Sequence, residues 1–456
     1  MTRMTLMLAC ALFTCAGQAA VMKRSGVDVR HPPFTPDSGT VAVFCGRLID
    51  GTGAAPTKNT LVVIRDGRIQ GVKPDARRRD ATATYLPVLD LSGHTCLPGL
   101  IDMHTHLTDR PEDTADLTVY FTRAAAETQR QAAENASATV LAGFTSVRNV
   151  GTYVLGTDTA LRDLINKGTV IGPRVQASGP YLTIPHGGGD LYVPEYKEPD
   201  DNARFHAGVA RGAEDFRLRA ESIVDAGADV LKVIASGAVL AHGGVPGAPE
   251  MTEDEIRAVV DIAHAIDKKV AAHAHGAESI RMAIAAGVDT IEHASYLDEG
   301  SIAAALARGR VALAMDVYNG DYIESEGRRQ NWPEEFLRKN LETTEIQRKG
   351  FTAAVKAGVP IVFATDAGVF PHGLNARQFP IMVARGMTPM QAILSATSVA
   401  ARYMGWSDEV GTIEADKFGD LIAVKGDPLA DIVLLQNVEV VLKGGMALKL
   451  PGSQSK

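Results

Sequence analysis

The sequence predicts an α/β chain: a (β/α)8 TIM barrel with a small β-sandwich built from both ends of the chain. Three observations carry this. Ala142-Gly143, Ala226-Gly227, Ala286-Gly287 and Ala357-Gly358 each close an Ala-rich helical stretch and lead at once into a short apolar run. Glycine after a helix supplies the left-handed stop, so helix, Ala-Gly, strand is half of a βα unit. Eight such apolar runs can be counted, at 97–107, 145–150, 174–178, 230–236, 269–275, 290–294, 310–315 and 360–366. Beyond them the texture changes to β segments punctuated by Gly and Asp, at 38–96 and again at 409–450.

The elements between these runs are helical in pattern. In the clearest case Thr252 and Glu255 form a capping box, and Ile256, Val259, Val260 and Ala263 make one apolar stripe. Eight strands alternating with helices over 97–408 fit a barrel better than an open doubly wound sheet. No glycine-rich phosphate loop opens any of the helices, which removes the dinucleotide-binding alternative. Two long irregular stretches, 181–207 and 316–340, follow strands and read as lids or binding loops.

Composition is that of a globular protein, 45% hydrophobic and 22% charged in 456 residues. A net charge of −8 without a long basic run points away from nucleic acid and anionic membranes as partners. Residues 1–20 resemble a secretory signal, with Arg3, an apolar run to Ala16, and small Ala19 and Ala20. That predicts a periplasmic or secreted protein, or a cytoplasmic one if Met22 is the true start. Cys45 and Cys96 remain after cleavage, either disulfide-bonded or as two buried thiols, and no CxxC pair offers a thiolate metal site.

Chemistry in a (β/α)8 barrel sits at the C-terminal ends of the strands. There the sequence places His104 and His106, Lys232, His273 and His275, His293, and Asp366. Alternation puts His104 with His106, and His273 with His275, on common faces. One histidine on an apolar strand is usually a hydrogen-bonded core residue. Five of only twelve, with an aspartate and a lysine, point to a metal centre. Lys232 lies in VLKVIAS, an apolar run where an ammonium is costly without a partner.

PGLIDMHTH, VLKVIASG, HAHG, IEHAS and ATDAG, in this order, resemble the amidohydrolase superfamily. The resemblance implies two divalent metal ions, with zinc suited to the donors, and CO2 held as a carbamate on Lys232. It implies His104, His106 and Asp366 on the first ion, His273 and His293 on the second, and Lys232 shared. A metal-bridging hydroxide would attack a peptide-like amide, and Asp366 would carry the proton to the leaving amine. SGPYLTIPHGGG, MDVYNGDY, TDAGVFPHGLNARQ and GDPLADI resemble the prolidase-like and Xaa-Arg/Xaa-Lys dipeptidase branch, whose near relatives hydrolyse ochratoxin. Small-molecule substrates, release of a C-terminal amino acid from dipeptides or N-acyl amino acids, and a homo-oligomer follow from that resemblance.

His275 is a candidate for the substrate carbonyl or carboxylate, or for an orienting hydrogen bond. His186, Tyr181, Tyr318 and His372 are further candidates for substrate contact. Arg148-Asn149 stands where relatives often carry Arg-Asp. The acidic stretch 189–203 fits either a solvated lid or a preference for a basic leaving residue. The rival functions are a cyclic-amide hydrolase resembling imidazolonepropionase, and a metal-binding scaffold without catalysis.

Overall fold

A computed structural model describes residues 39–452. The signal segment expected at 1–20 lies outside them. Fifteen strands are assigned among the described residues. β1 (Val41–Leu48), β2 (Thr57–Arg65), β3 (Arg68–Lys73) and β4 (Val88–Pro98) come from the first part of the chain. Then follow β5 (Leu100–Thr105), β6 (Phe144–Asn149), β7 (Arg174–Ala177), β8 (Val230–Ile234), β9 (Lys269–Ala274), β10 (Thr290–His293), β11 (Ala312–Ala314) and β12 (Ile361–Val362). β13 (Leu421–Lys425), β14 (Val440–Lys443) and β15 (Met446–Lys449) complete the set.

β5 to β12 coincide with the eight apolar runs, all pairing in parallel. β5-β6-β7 form one sheet and β8 to β12 another. Backbone hydrogen bonds cross both gaps between the sheets. Asp229 donates to the Ala177 carbonyl at 2.7 Å on one side. Met103 donates to Phe363 at 2.8 Å and Asp366 to His104 at 2.8 Å on the other.

The helices between them obey the sequence pattern. Gly143, Gly227, Gly287 and Gly358 all have positive φ, the left-handed conformation that ends a helix without a Cβ clash. In helix Glu253–His264 the Thr252–Glu255 capping box is present, and the buried residues are Ile256, Val259, Val260 and Ala263. These pack with Leu231, Val233 and Ala272 in the core between strands and helices. Since Leu231 and Val233 face the helices, alternation turns Lys232 to the opposite side of β8.

The two ends of the chain meet around one core. Their seven strands hydrogen-bond into one continuous sheet ordered β15-β14-β13-β4-β1-β2-β3. Alternating strand patterns identify an inward face and leave open which strands share an edge. Val43, Cys45, Val62, Ile64, Leu421, Ala423, Val440 and Leu442 form the common core, and Cys45 is disulfide-bonded to Cys96 across β1 and β4.

Candidate active site

His104, His106, Lys232, His273, His275, His293 and Asp366 line one cavity of about 150 Å³, and all are buried. Seven positions between residues 104 and 366 meet because each sits within its strand or a few residues past the strand's C-terminal end. The His104 and His293 rings are 4.8 Å apart, as are His275 and His293, while His273 lies 4.6 Å from each of His275 and His293. Asp366 Oδ1 lies 3.3 Å from His104 Nε2 and 3.1 Å from His106 Nε2.

Two triads are close enough to hold a metal ion. His104, His293 and Asp366 form one, and His273, His275 and His293 the other, with ligand atoms within 4.8 Å of one another in each. His293 and Asp366 both have positive φ, at 67° and 62°. Non-glycine residues hold that conformation only when their surroundings impose it, and such sites are often functional.

The Lys232 Nζ is buried here without a hydrogen-bond partner. Burial pushes its pKa down to about 8, and the nearby Arg148 charge adds to this against the pull of Glu292, Asp366 and Asp316. An amine so placed has a substantial neutral fraction at physiological pH. His273 and His275 are held well below the ordinary histidine range by burial and by His293, so they are neutral imidazoles. Neutral imidazole is the metal-ligating form. Burial opposes ionising Asp366, but His104 and His106 outweigh it and hold the carboxyl well below its usual range. The donor set and the unpartnered amine both fit a metal centre.

Each imidazole is oriented from behind. His104 Nδ1 meets Glu292 Oε2 at 2.8 Å, and Glu292 Oε1 accepts from Arg148 at 2.8 Å. Burial would raise the Glu292 pKa, yet Arg148 and His104 keep the group ionised, far below the usual carboxylate range. His293 Nδ1 meets Asp316 Oδ1 at 3.0 Å, and Gln347 donates to the same oxygen at 2.8 Å. His275 Nδ1 faces the Ser295 hydroxyl at 2.7 Å, and His273 Nε2 lies 3.3 Å from the Gly237 carbonyl. Asn319 Nδ2 bridges Asp316 and Asp366, donating to Asp366 Oδ2 at 3.2 Å.

The other sequence candidates separate. Tyr181 lines the cavity, with its hydroxyl 3.1 Å from His106 Nδ1. A Cβ on Gly151 would fall 1.8 Å from the Tyr181 ring, so glycine there is what lets the ring lean in. His186 is exposed and stacks on Tyr192 at 4.2 Å, away from the cavity. Tyr318 packs on Phe370 and accepts from Arg377 at 3.0 Å, also outside it. His372 does not line the cavity but buttresses it, with Nε2 3.1 Å from the His106 carbonyl oxygen. Its ring is neutral, pushed down to about 4 by burial.

The acids of 189–203 do not face the cavity. Asp190 and Glu198 grip opposite nitrogens of His206, at 2.6 and 2.9 Å, while Glu195 and Asp200 are exposed. The electrostatic case for a basic leaving residue is corrected accordingly. Sequence reasoning missed Glu292, Asp316, Ser295 and Gln347. Only Glu292 carried a signal: an acid inside the buried run TIEHA, facing inward by alternation. Arg148 reaches Glu292, while Asn149 accepts the Leu107 amide at 2.7 Å and serves the loop.

The amidohydrolase family model matches residues 95–448. The chain belongs to the amidohydrolase family. Ochratoxinase of Aspergillus niger is 30% identical over 440 residues, covering 92% of this chain and 88% of that one. Among solved structures, a Xaa-Pro dipeptidase with methionine bound in its active site superposes with a TM-score of 0.82 at 33% identity. That match covers 90% of this chain and 100% of the other. A prolidase complexed with N-methylphosphonate-L-proline gives 0.81 at 28% identity, over the same shares of 90% and 100%. An amidohydrolase of the α/β class with prolidase-like neighbours therefore has this histidine cluster as its candidate active site, and amide hydrolysis as its expected chemistry.

Proposed function

We propose that the two parallel sheets form one closed (β/α)8 barrel and that its cluster is a binuclear metal centre. In this reading it releases the C-terminal amino acid from dipeptides or N-acyl amino acids. The observation that carries this is Lys232. A buried amine without a partner, beside five histidines and an aspartate, is unfavourable as an ammonium and well suited to carboxylation. His104, His106 and Asp366 would hold one ion, His273 and His293 the other, and carboxylated Lys232 both. Two divalent ions, zinc fitting the imidazole-rich donors, would supply an activated water and polarise the scissile carbonyl.

The remaining steps belong to the chain. Asp366, kept ionised by its histidine neighbours, accepts the proton of the attacking water and delivers it to the leaving nitrogen. Asn319 fixes the carboxylate by holding its other oxygen. His275, with Nδ1 engaged by Ser295, has Nε2 left to meet the substrate carbonyl or carboxylate. Asp109, Arg110, Thr114, Asn340 and Thr344 give the remaining lining a polar part, and Tyr120, Tyr153, Tyr181, Leu240, Ile323 and Val369 give it an aromatic and apolar part. That second part, and the ochratoxinase and Xaa-Pro dipeptidase relatives, support an apolar or aromatic group beside the scissile bond.

Export is part of the same reading. The Cys45–Cys96 disulfide supports an oxidising compartment, where such bonds persist.

The deciding experiment loads the protein with zinc and bicarbonate. Free amino acid is then followed from N-acyl amino acids and dipeptides ending in Phe, Leu, Pro, Arg or Lys. The expected result is a graded profile favouring Phe, Leu and Pro. Silence across the panel with two metals bound would overturn the proposal and turn attention to cyclic amides.

A further inference from the structure

A second concavity, of about 420 Å³, lies at the other ends of the strands. Lys269 opens β9, residues 287–289 lead into β10, and Arg310 leads into β11. Its floor is thus the N-terminal ends of strands whose far ends carry or lead to His273, His293 and Asp316.

Lys268, Lys269, Arg308, Arg310 and Arg402 line it, opposed by two carboxylates, Asp267 and Asp289. This inverts the balance of a chain whose net charge is −8. Asp289 is already engaged: it accepts from Lys269 Nζ at 3.0 Å, meets His264 Nε2 at 2.9 Å and accepts the Val270 amide at 2.9 Å.

The plain explanation is that these cations offset helix dipoles. Lys268 follows helix Glu253–His264, Arg308 ends helix Glu299–Arg308, and Arg402 lies in the last turn of helix Ser398–Met404. That role is best served by contact with the last carbonyls. Among the described residues, the side chains of Lys268, Arg308, Arg310 and Arg402 make no hydrogen bond and no ion pair. The Arg402 guanidinium lies instead over the Tyr403 ring, 5.7 Å from its centre. A Cβ on Gly287 would meet the Arg308 guanidinium at 3.1 Å, so that turn leaves room for the arginine to lie against it. Like charges gathered in a concavity repel one another and focus a positive field until an anion enters.

We infer that this basal concavity binds a small oxyanion carrying two or more charges, of the phosphate class. Guanidinium forks match tetrahedral oxyanions, and the partly buried Lys268 adds a point charge to the same lining. The acidic balance of the whole chain disfavours a nucleic-acid strand.

Calorimetric titration of the full metal-loaded chain with inorganic phosphate, at constant ionic strength against a chloride control, tests this. One site per chain is expected. It should persist in His104→Asn, which disables the histidine cluster, and weaken at least about tenfold in Arg308→Ser/Arg402→Ser. No binding to the parent, loss of binding in His104→Asn, or unchanged affinity in the arginine pair would each overturn the inference. The three arginines are exposed, so folding should survive. Should the pair variant melt early, Arg310→Ser alone reads the same weakening.

Discussion

The β5 and β9 sides of the histidine cluster meet at His293 and are backed by different chemistry. Behind His104 stands the Glu292 carboxylate, itself paired with Arg148, and behind His293 stands Asp316. Behind His273 and His275 stand a backbone carbonyl and a serine hydroxyl, both neutral. Burial and the Lys232 amine work against protonating His104, yet the Asp366 and Glu292 carboxylates outweigh them and raise its pKa. His273 and His275 have no such support and fall well below the ordinary value. An anionic partner makes an imidazole a stronger donor. In the proposed centre each ion has one such histidine, His104 on the first and His293 on the second, and the first also has the Asp366 carboxylate. The β5 half should therefore hold its ion more tightly, and the β9 half should exchange its ion first.

The harshest way to break this comparison is to remove what the halves have in common. Lys232→Ala should abolish carboxylation, lower metal content below two ions per chain and reduce turnover by at least about 10³-fold. Near-full activity with both metals retained would end the carbamate reading. Asp366→Asn should keep a metal-oxygen ligand but lose the proton acceptor, reducing kcat about 10²–10⁴-fold. A change confined to KM would instead make Asp366 a ligand only.

The halves are distinguished more finely by their backing groups. Glu292→Gln should weaken the first ion about 10–100-fold and leave the second nearly unchanged, read by metal content after graded chelation. Equal loss of both ions would show that the buried Arg148–Glu292 pair supports the whole cluster.

Lys232 also predicts a pH effect in the metal-free, CO2-free chain. Its folded pKa is about 8 against an ordinary 10.5, so between those values the unfolded chain binds more protons. Stability contributed by this site rises with pH across that window, and the charged amine is a fixed penalty below it. The stability gap between Lys232→Met and the parent should shrink by about 3 kcal/mol from pH 8 to 10.5. A pH-independent gap in paired urea melts would mean that the buried amine keeps its ordinary pKa.

The mildest change is Ser295→Ala. Loss of one neutral hydrogen bond should cost about 1 kcal/mol in transition-state binding, with both metals retained. Loss of the second ion in this variant would move His275 from substrate contact to metal ligation.

Much of this was legible because strand and helix carry short-range codes. The eight apolar runs, the Ala-Gly stops and the 252–263 stripe rest on periodicities of two and 3.6 residues and on a left-handed glycine. The HxH, Lys232, HAHG, EH and Asp366 order was likewise visible, since barrel chemistry collects at strand ends. Of the loop candidates only Tyr181 was. His186 and Tyr318 lie in the same long segments as useful residues, and nothing local says that one turns outward onto Tyr192 and the other under Arg377. The acidic stretch looked like a field for a basic substrate because the sequence does not show that His206 folds back between Asp190 and Glu198.

By itself, then, the sequence determined the α/β class, the strand inventory and the chemistry of the ligating residues, because each is written within a few neighbouring positions. Tertiary structure alone decided which residues stand behind those ligands, and that the chain ends share one sheet. It also decided where uncompensated positive charge collects. Glu292 meets Arg148 across 144 residues and His104 across 188, and Arg402, from another helix, lines the same concavity as Lys268 and Lys269. Such pairings depend on how strands and helices stack, and local periodicity carries no information about them.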